Sequence, residues 1–388
     1  MPFCDSSEIG TRIFYRRFGH GSTKVLLIIG LAATHDSWGP QIKGLTGAVE
    51  PNDEEPEAAV IAGDGGLDGF QEGIEVCCFD NRGVGRSSVP AKKSEYSTTI
   101  MAKDALALLD HLGWRKAHVF GHSMGAMIAC KLAALAPERI CSLALLNVTG
   151  GGFECFPKID RQMMSLAFRF LRARTPEQRA LVDLETHYTK EYLDEHVGSC
   201  KRRDILYQEY VKAISSSGMQ SNCGFEGQVN ACWTHKMTSK ELDKIHSAGF
   251  LVSMIHGRYD IIAQLVHARR LSKKLQPCAR MVELHGGHLV SHERPNEVNQ
   301  ALIELINASK SNVRPEEWSY LPEKQTATPL SVSNTNNNVA SSLRTFYSLV
   351  GKLQLSFLYF VGIFMMGYEH MRSIFKTMKP VRVATSNS

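Results

Sequence analysis

The chain has 388 residues, of which 43% are hydrophobic, and a formal net charge of +5. This length suits one large α/β domain with an inserted segment. Charges of both signs are mixed along the chain without a basic stripe, which argues against a nucleic-acid partner. The ten cysteines form no CxxC pair and no zinc-ligand spacing, so we expect free thiols and a reducing compartment. The polar N-terminus has no apolar signal core, which favours a cytoplasmic rather than a secreted protein.

Short apolar runs alternate with helical patterns over the first 152 residues, the first part of the predicted core. Runs this continuously apolar are typical of strands buried on both faces of a sheet. Strands are predicted over 11–18, 24–29, 74–79, the run before Gly121 and 140–148, and a helix over 98–112. Strands that alternate with helices predict a mostly parallel sheet with helices on both faces.

Two segments interrupt this alternation. Residues 50–73 are acidic and glycine-rich, which predicts a solvated insertion. Residues 153–247 contain helical patterns and recurrent aromatic and methionine side chains, so we expect an inserted helical cap. Strand and helix patterns resume over 248–310, which we predict to be the second part of the core.

The last part of the chain differs in composition. Residues 311–342 are predicted as a polar linker, and residues 343–388 as an apolar helix with a basic tail. Within the segment 343–388, residues 346–374 are strongly apolar, and their length is close to what a bilayer requires. A membrane anchor, an interfacial helix and a helix docked on the protein all remain open. The predicted localisation is therefore cytoplasmic, with membrane contact through 346–374 as an open alternative.

The motif Gly121-x-Ser123-x-Gly125 lies between an apolar run and an alanine-rich helical pattern. A strand that turns sharply into a helix strains its apex residue and needs small neighbours, and the two glycines meet that need. Ser123 would then stand clear of the sheet, with the Met124 N–H at the positive end of the helix. A tight turn with an incidental serine is the alternative.

Three other candidates follow predicted strands, at Leu31, Asp260 and His288. The carboxyl ends of parallel strands share one edge of a sheet, where sites of such proteins form. A serine hydroxyl is a weak nucleophile, so it needs a base within hydrogen-bond reach and an acid that orients the base. Ser123, Asp260 and His288 are residues of the three types that this chemistry needs.

Simpler interpretations exist for several of these residues. Asp260 alone could cap a helix, and His288 could be a surface histidine with rivals at His285 and His292. The glycine-rich loop 80–88 fits no phosphate-binding spacing, so we expect a structural loop that Asp80 and Arg82 hold in place. We also expect structural roles for two further histidines, His122 and His256.

Five short motifs follow one another along the chain. They are Ile29-Gly30-Leu31, Asp80-x-Arg82-Gly83-x-Gly85-x-Ser87, Gly121-His122-Ser123-Met124-Gly125, His256-Gly257-x-x-Asp260 and Gly286-Gly287-His288. In this order they resemble the α/β-hydrolase superfamily over about residues 11 to 308. Among its branches, the chain looks nearest to small esterases and enol-lactonase-like hydrolases with a helical cap.

The resemblance implies a role for each candidate residue. Ser123 would be the nucleophile, His288 the general base and then acid, and Asp260 the orienting carboxylate. The backbone amides of Leu31 and Met124 would form the oxyanion hole. Many relatives have His-Gly at the oxyanion loop, whereas this chain has Ile29-Gly30, so a hydrogen bond that fixes the loop is in doubt.

These features together predict a serine hydrolase that cleaves a small-molecule carboxylic ester or lactone through an acyl-enzyme. Such a reaction needs no metal ion and no organic cofactor. A C–C bond hydrolase, a thioesterase or an acyltransferase with the same triad remains an alternative. So do a ligand receptor with slow turnover and a membrane-tethered scaffold with an incidental triad. The substrate would be selected by the cap, whose packing the sequence does not reveal.

Overall fold

The computed structural model describes residues 2–6, 10–52, 73–158, 160–217 and 220–320. Most of the predicted insertion 50–73 lies outside these residues, as do the predicted linker after residue 320 and all of the predicted segment 343–388. Within the described part, no helix combines the length and apolar character that crossing a bilayer demands.

Strands and helices alternate through most of the described chain. Its strands are β1 (Phe3–Asp5), β2 (Arg12–Phe18), β3 (Thr23–Ile28), β4 (Ile74–Phe79), β5 (Ala117–His122), β6 (Ile140–Leu146), β7 (His196–Val197), β8 (Cys200–Lys201), β9 (Leu251–Gly257) and β10 (Ala279–Leu284). Its helices are α1 (Gly39–Thr46), α2 (Thr98–His111), α3 (Met124–Leu135), α4 (Arg161–Arg172), α5 (Pro176–His187), α6 (Lys190–Asp194), α7 (Arg202–Ser217), α8 (Asn222–Thr234), α9 (Ser239–Ser247), α10 (Leu265–Lys274), α11 (Val290–Glu293), α12 (Pro295–Lys310) and α13 (Pro315–Tyr320).

Eight strands form one sheet in the order β1-β2-β4-β3-β5-β6-β9-β10. The pairs from β4 to β10 are parallel, and β1 and β2 join them by antiparallel pairing. The prediction of a mostly parallel sheet with helices on both faces is confirmed. The parallel strands bring the residues after β3, β5, β6, β9 and β10 to one edge of the sheet.

The apolar strand runs bury both faces of this sheet. Along β3, Leu26 and Ile28 belong to the core under α2 and α3, whereas Val25 and Leu27 face the core under α1 and α12. Successive side chains of a strand point to opposite faces, so a strand covered on both sides must be apolar throughout. This is why continuous apolar runs located the strands correctly.

Short or polar elements escaped the sequence prediction. The three-residue β1 extends the sheet, and the β7–β8 ladder lies inside the cap, where no strand was expected. Helix α13 falls in the segment predicted as the start of the linker. Its Trp318 is 1% exposed and donates a hydrogen bond to the Val252 carbonyl at 2.8 Å. The packed core therefore continues past residue 310, through α13.

Helices α4 to α9 lie between β6 and β9 in the chain, where the cap was predicted. Helix α8 approaches the core closely because Gly224 and Gly227 face it without side chains. A Cβ at Gly224 would lie 2.0 Å from the Gly83 carbonyl oxygen, and one at Gly227 would lie 2.4 Å from the Tyr96 ring. This contact sets α8 beside the loops that follow β3 and β4.

Candidate active site

Ser123 occupies the sharp turn between β5 and α3. Its φ and ψ are 54° and −119°, a conformation that costs a residue with a side chain of the order of 1–3 kcal/mol. Two sets of hydrogen bonds hold it there. The Ser123 N–H donates to the Leu146 carbonyl at 2.8 Å, and the Ser123 carbonyl accepts from the N–H groups of Ala126 and Met127.

Gly121 and Gly125, on either side of Ser123, lie where neighbouring atoms leave no room for a side chain. A Cβ at Gly121 would lie 2.4 Å from the Gly125 carbonyl oxygen, and one at Gly125 would lie 2.0 Å from the Ile28 carbonyl oxygen. Both distances are far below contact distance, so the turn tolerates only glycine at these positions. The predicted strand–turn–helix context of this motif is present.

Asp260 lies beyond the end of β9 with its side chain fully buried. Its Oδ1 accepts hydrogen bonds from the N–H groups of Ile262 and Ala263, each at 2.8 Å. Its Oδ2 accepts from Asn147 Nδ2 at 2.6 Å and from His288 Nδ1 at 2.8 Å. Burial by itself would raise the pKa of Asp260, but the charge and hydrogen bond of His288, with those of its other neighbours, lower the pKa to about 2. Asp260 is therefore a carboxylate at neutral pH, as an orienting acid must be.

His288 follows β10 and is 6% exposed. Because the Asp260 carboxylate accepts a hydrogen bond, the Nδ1 of His288 must carry the proton. That leaves Nε2 as the basic nitrogen. The backbone of His288 is held by His122, whose Nε2 lies 2.8 Å from the His288 carbonyl oxygen. The residue next to Ser123 thus ties the elbow to the histidine loop.

The Ser123 hydroxyl makes no hydrogen bond to any residue that the structure describes. The rings of His122 and His288 lie 5.0 Å apart between centroids, which places His288 beside the elbow. In enzymes without substrate, the contact between nucleophile and base is often long and tightens only when the substrate binds. The lack of a Ser123–His288 hydrogen bond is therefore compatible with their predicted roles as nucleophile and base.

The loop after β3 lies against this elbow. A Cβ at Gly30 would be 3.2 Å from both the Ser123 Cβ and the His122 carbonyl oxygen. Leu31, the predicted donor, follows directly. The Leu31 and Met124 N–H groups have no hydrogen-bond acceptor among the described residues, so both remain available to a ligand.

Contacts from other parts of the chain fix this loop although it lacks the His-Gly pair. Asn81 Nδ2 donates to the Ile29 carbonyl at 2.8 Å. Ala32, whose φ is 61°, donates its N–H to Gln228 Oε1 at 2.9 Å. Gln228 is fully buried on α8 and also donates to the Arg82 carbonyl at 2.9 Å. The stabilisation in doubt from the sequence is therefore supplied by Asn81 and by the cap.

Two neutral histidines surround the ring of His288. Burial, together with the charge of His288, lowers the pKa of His122 and of His187 to about 3 each. His187 comes from the end of α5, and its ring stacks on that of His288 at 6.1 Å. Its Nδ1 is buried without a hydrogen-bond partner among the described residues. The site therefore places two neutral rings beside His288, whose Nδ1 contacts the Asp260 carboxylate.

The rival candidates have other contacts. His285 packs its ring against Tyr259 at 4.7 Å. His292 Nε2 lies 2.7 Å from the Ser37 carbonyl oxygen, and His256 Nε2 lies 2.8 Å from the Ala263 carbonyl oxygen. None of these three approaches the Asp260 carboxylate as closely as His288 does, although His256 Nε2 lies 3.7 Å from it.

The loop 80–88 is held by its own side chains, as predicted. Asp80 Oδ1 accepts from the His35 N–H at 2.9 Å, and its Oδ2 accepts from the Arg86 N–H at 2.9 Å. Arg82 and Asp104 form two hydrogen bonds of 2.6 Å each in a buried pair. With its acidic and basic groups paired in this way, the loop serves as a structural support for the site.

The sequence analysis missed three residues that support the site. Asn147 follows β6, and its φ of 49° turns its amide toward Asp260. Glu293 accepts from the Gly287 N–H at 2.7 Å and from the Thr189 hydroxyl at 2.7 Å, which joins the histidine loop to the cap. Gln228 holds the loop after β3. An asparagine directly after an apolar run was the one local signal, whereas Glu293 and Gln228 act through contacts remote in the chain.

A cavity of about 260 Å³ lies between the start of α4 and the segment after β9. Ser123 and His288 are not among its lining residues, so it touches the candidate centre only at Asp260. The lining residues are Lys158, Asp160, Gln162, Met163, Asp260, Ile261, Gln264, Leu265 and Val266. No group of His, Cys, Asp or Glu in the described part of the chain is arranged to hold a metal ion.

Comparison with known families decides the classification. Residues 24–295 match a family model described as the alpha/beta hydrolase fold, and this is more than half of the chain. The chain belongs to the α/β-hydrolase family. The resemblance inferred from the five motifs is thereby confirmed.

The individual relatives have low sequence identity to this chain. A protein of Azorhizobium caulinodans with the provisional name carbamate hydrolase RutD is 29% identical over 46% of this chain and 54% of its own length. The chain thus spans about half the length of that relative. A Mycobacterium tuberculosis protein provisionally named non-heme bromoperoxidase BpoC is 24% identical over 62% of this chain and 85% of its own.

A solved structure gives the same fold. The enol-lactonase from Burkholderia xenovorans LB400 superposes with a TM-score of 0.58 and 21% identity, covering 79% of this chain and all of that one. At this identity the likeness shows the α/β-hydrolase fold and no more.

Proposed function

We propose that this protein is a serine hydrolase that cleaves a carboxylic ester or lactone of a small molecule through an acyl-enzyme. The observation that carries the proposal is the buried contact between Asp260 and His288 beside the strained Ser123. The contact fixes the proton on His288 Nδ1 and leaves Nε2 to take the proton of the Ser123 hydroxyl.

The reaction would proceed in two steps. Ser123 Oγ attacks the carbonyl carbon while His288 Nε2 accepts its proton, and the N–H groups of Leu31 and Met124 stabilise the oxyanion. His288 then donates that proton to the leaving alkoxide, and the acyl group stays on Ser123. In the second step His288 takes a proton from water, the resulting attack releases the acid, and Ser123 regains its proton. Asp260 stays ionised throughout, consistent with its lowered pKa.

A carbamate is a second candidate substrate class. The name of the Azorhizobium caulinodans relative points to it, and a carbamate also carries a carbonyl carbon with a heteroatom leaving group. The same nucleophile, base and oxyanion donors would serve. A panel of esters, lactones and carbamates assayed with the full chain ranks these classes by kcat/KM.

The test uses a fluorophosphonate probe and p-nitrophenyl ester hydrolysis by the full chain. We expect labelling at Ser123, and we expect Ser123→Ala to lower kcat on the order of 10⁴- to 10⁶-fold. Ser253→Ala is the matched control, because the Ser253 hydroxyl is buried in β9 without a hydrogen-bond partner among the described residues. It should keep both labelling and turnover.

Three outcomes would contradict the proposal. Equal rates for wild type and Ser123→Ala would remove Ser123 from the reaction. Labelling of Ser123 without turnover of any substrate in the panel would favour a ligand receptor. A probe that fails to label Ser123 at all would favour a scaffold with an incidental triad.

A further inference from the structure

Helix α4 of the cap has an exposed apolar stripe. Its inner side is fixed by Leu166, which is 3% exposed, and by Phe170, whose ring lies 6.2 Å from that of Phe225. On the other side, Met164, Phe168 and Leu171 are 61%, 57% and 59% exposed. These three residues have the i, i+4, i+7 spacing that places side chains on one face of a helix. The helix is therefore apolar on two sides, and only one of them is covered.

Basic residues flank this stripe. Arg161 and Arg172 are both exposed, and no carboxylate pairs with either of them within the described residues. The Arg172 guanidinium lies over the Phe168 ring at 4.6 Å from its centroid. Helix α4 has no acidic residue between its first and last positions. An exposed apolar face with a basic border is the composition of helices that lie in a membrane interface.

Three exposed aromatic side chains form a cluster near the start of α4. Phe153, Phe156 and Trp233 contact one another with centroid distances of 5.2 to 6.3 Å, and they are 59%, 38% and 45% exposed. Asp160, the N-cap of α4, comes only four positions after Phe156, so this cluster lies within roughly 15 Å of the helix start. Of these three side chains Trp233 has a polar end, and tryptophan is enriched where a membrane meets water.

We propose that α4 docks this protein on an anionic membrane surface. Met164, Phe168 and Leu171 enter the boundary between head groups and acyl chains, and Arg161 and Arg172 contact anionic head groups. A lipid surface fits better than a protein partner for two reasons. The cationic border is complementary to anionic lipid, and the stripe can be buried in any apolar phase without a specific partner surface. This inference concerns binding and does not depend on the proposed hydrolase activity.

The start of α4 lies at the cavity that touches the candidate site. Met163, next to Met164 in the chain, lines the cavity that touches Asp260. Lys158 and Asp160 at the start of α4 line it as well. Docking by α4 therefore brings this cavity close to the lipid surface.

The test uses the full chain and vesicles of phosphatidylcholine with one quarter phosphatidylglycerol. Because residues 346–374 are also apolar, total binding is not sufficient, and hydrogen–deuterium exchange of the peptide 161–172 is measured with and without vesicles. We expect vesicles to protect this peptide, and added salt or pure phosphatidylcholine to reduce the protection.

Matched variants separate α4 from other apolar surfaces. Phe168→Ser with Leu171→Ser should lower the vesicle partition coefficient by roughly tenfold or more, because two large apolar side chains are lost. Val89→Ser with Leu135→Ser is the control, since both side chains are 44% exposed on the core, and it should bind as wild type does. Phe168→Trp keeps the apolar face and should retain binding.

Each other outcome overturns the proposal. Exchange of 161–172 that vesicles leave unchanged would show that lipid does not cover α4. Vesicle binding of the double α4 variant equal to wild type would assign binding to another segment. Exchange of 161–172 that slows with rising protein concentration in the absence of vesicles would show that a second copy of this chain covers the stripe. Loss of binding in Phe168→Trp as well would show that folding of the cap, and not its apolar face, is responsible.

Discussion

Gln228 connects the cap to the loop that carries Leu31, and its removal is the most direct test of how the site is held together. Its side chain accepts from the Ala32 N–H and donates to the Arg82 carbonyl, both at 2.9 Å, and it is fully buried. Gln228→Ala leaves both backbone groups without a partner. The Ala32 N–H, one residue after the proposed oxyanion donor, loses the contact that fixes it at a positive φ.

The magnitude follows from these two hydrogen bonds. A buried polar group left without its partner costs about 1–3 kcal/mol, so the free energy of unfolding should fall by about 2–6 kcal/mol. A typical domain has about 5–15 kcal/mol, so much of the protein should remain folded at low temperature. If the Leu31 amide moves out of place, the loss is at most one oxyanion donor, worth about 10²- to 10³-fold in kcat. We therefore expect kcat to fall about 10- to 10³-fold with little change in KM.

The assay is p-nitrophenyl ester hydrolysis at a temperature where circular dichroism shows the variant folded. Asn230→Ala is the matched control on the same helix. Asn230 donates to the carbonyls of Lys93 and Tyr96, each at 3.2 Å, and does not touch the loop after β3. It should lose stability yet keep kcat. The reasoning is refuted if both variants lose kcat equally, or if folded Gln228→Ala keeps the wild-type kcat.

Asp260, the buried histidines and Trp318 each give a further prediction. Asp260→Asn should lower kcat by about 10⁴-fold, because an amide no longer selects the His288 tautomer, and a loss below tenfold would contradict the assigned role. Burial lowers the pKa of four histidines to about 3 or 4, from 6.5 in the unfolded chain. These are His118, His122, His187 and His235. The unfolded state binds protons first as pH falls, so between about pH 6.5 and 5.5 each should lower the free energy of unfolding by about 1 kcal/mol and all four by about 4 kcal/mol. Urea unfolding with a stability equal at both pH values would disprove this, and His118→Asn should remove about a quarter of the change. Trp318→Ala should cost about 3–5 kcal/mol in urea unfolding, and a cost under about 1 kcal/mol would place α13 outside the core.

The sequence predicted the sheet well because burial on both faces requires continuous apolar runs, which are visible in the local sequence. β4 was predicted with its observed bounds, and β3 to within one residue at each end. The β7–β8 ladder lacks such an apolar run, since each strand has two residues and all four are exposed. Helix α13 was missed for a different reason. One buried tryptophan in a short polar segment carries no periodicity, and only its packing against β9 reveals that the segment belongs to the core.

The residues of the candidate site also differ in whether a local sequence pattern marks them. Ser123, Asp260 and His288 each follow a strand and lie within short motifs, so local pattern was sufficient to propose them. The supporting contacts join residues distant in the chain, as when Asn147 meets Asp260 or Gln228 meets Ala32. A single sequence contains no signal for such pairs. Local pattern was therefore enough to propose the reacting residues, whereas it offered almost no sign of the residues that hold them in place.

The cap contacts both sides of the candidate site through buried hydrogen bonds, but α4 presents its free face to the outside. Gln228 holds the loop after β3, and Thr189 with Glu293 joins the cap to the histidine loop. Substitutions far apart without shared partners act additively. We therefore expect Phe168→Ser with Leu171→Ser to weaken vesicle binding and keep kcat on a soluble ester. Gln228→Ala should do the reverse, so kinetics and vesicle partitioning of the same two variants test the separation. If either variant changes both properties, the helices of the cap act as one unit, and α4 is part of what positions the site.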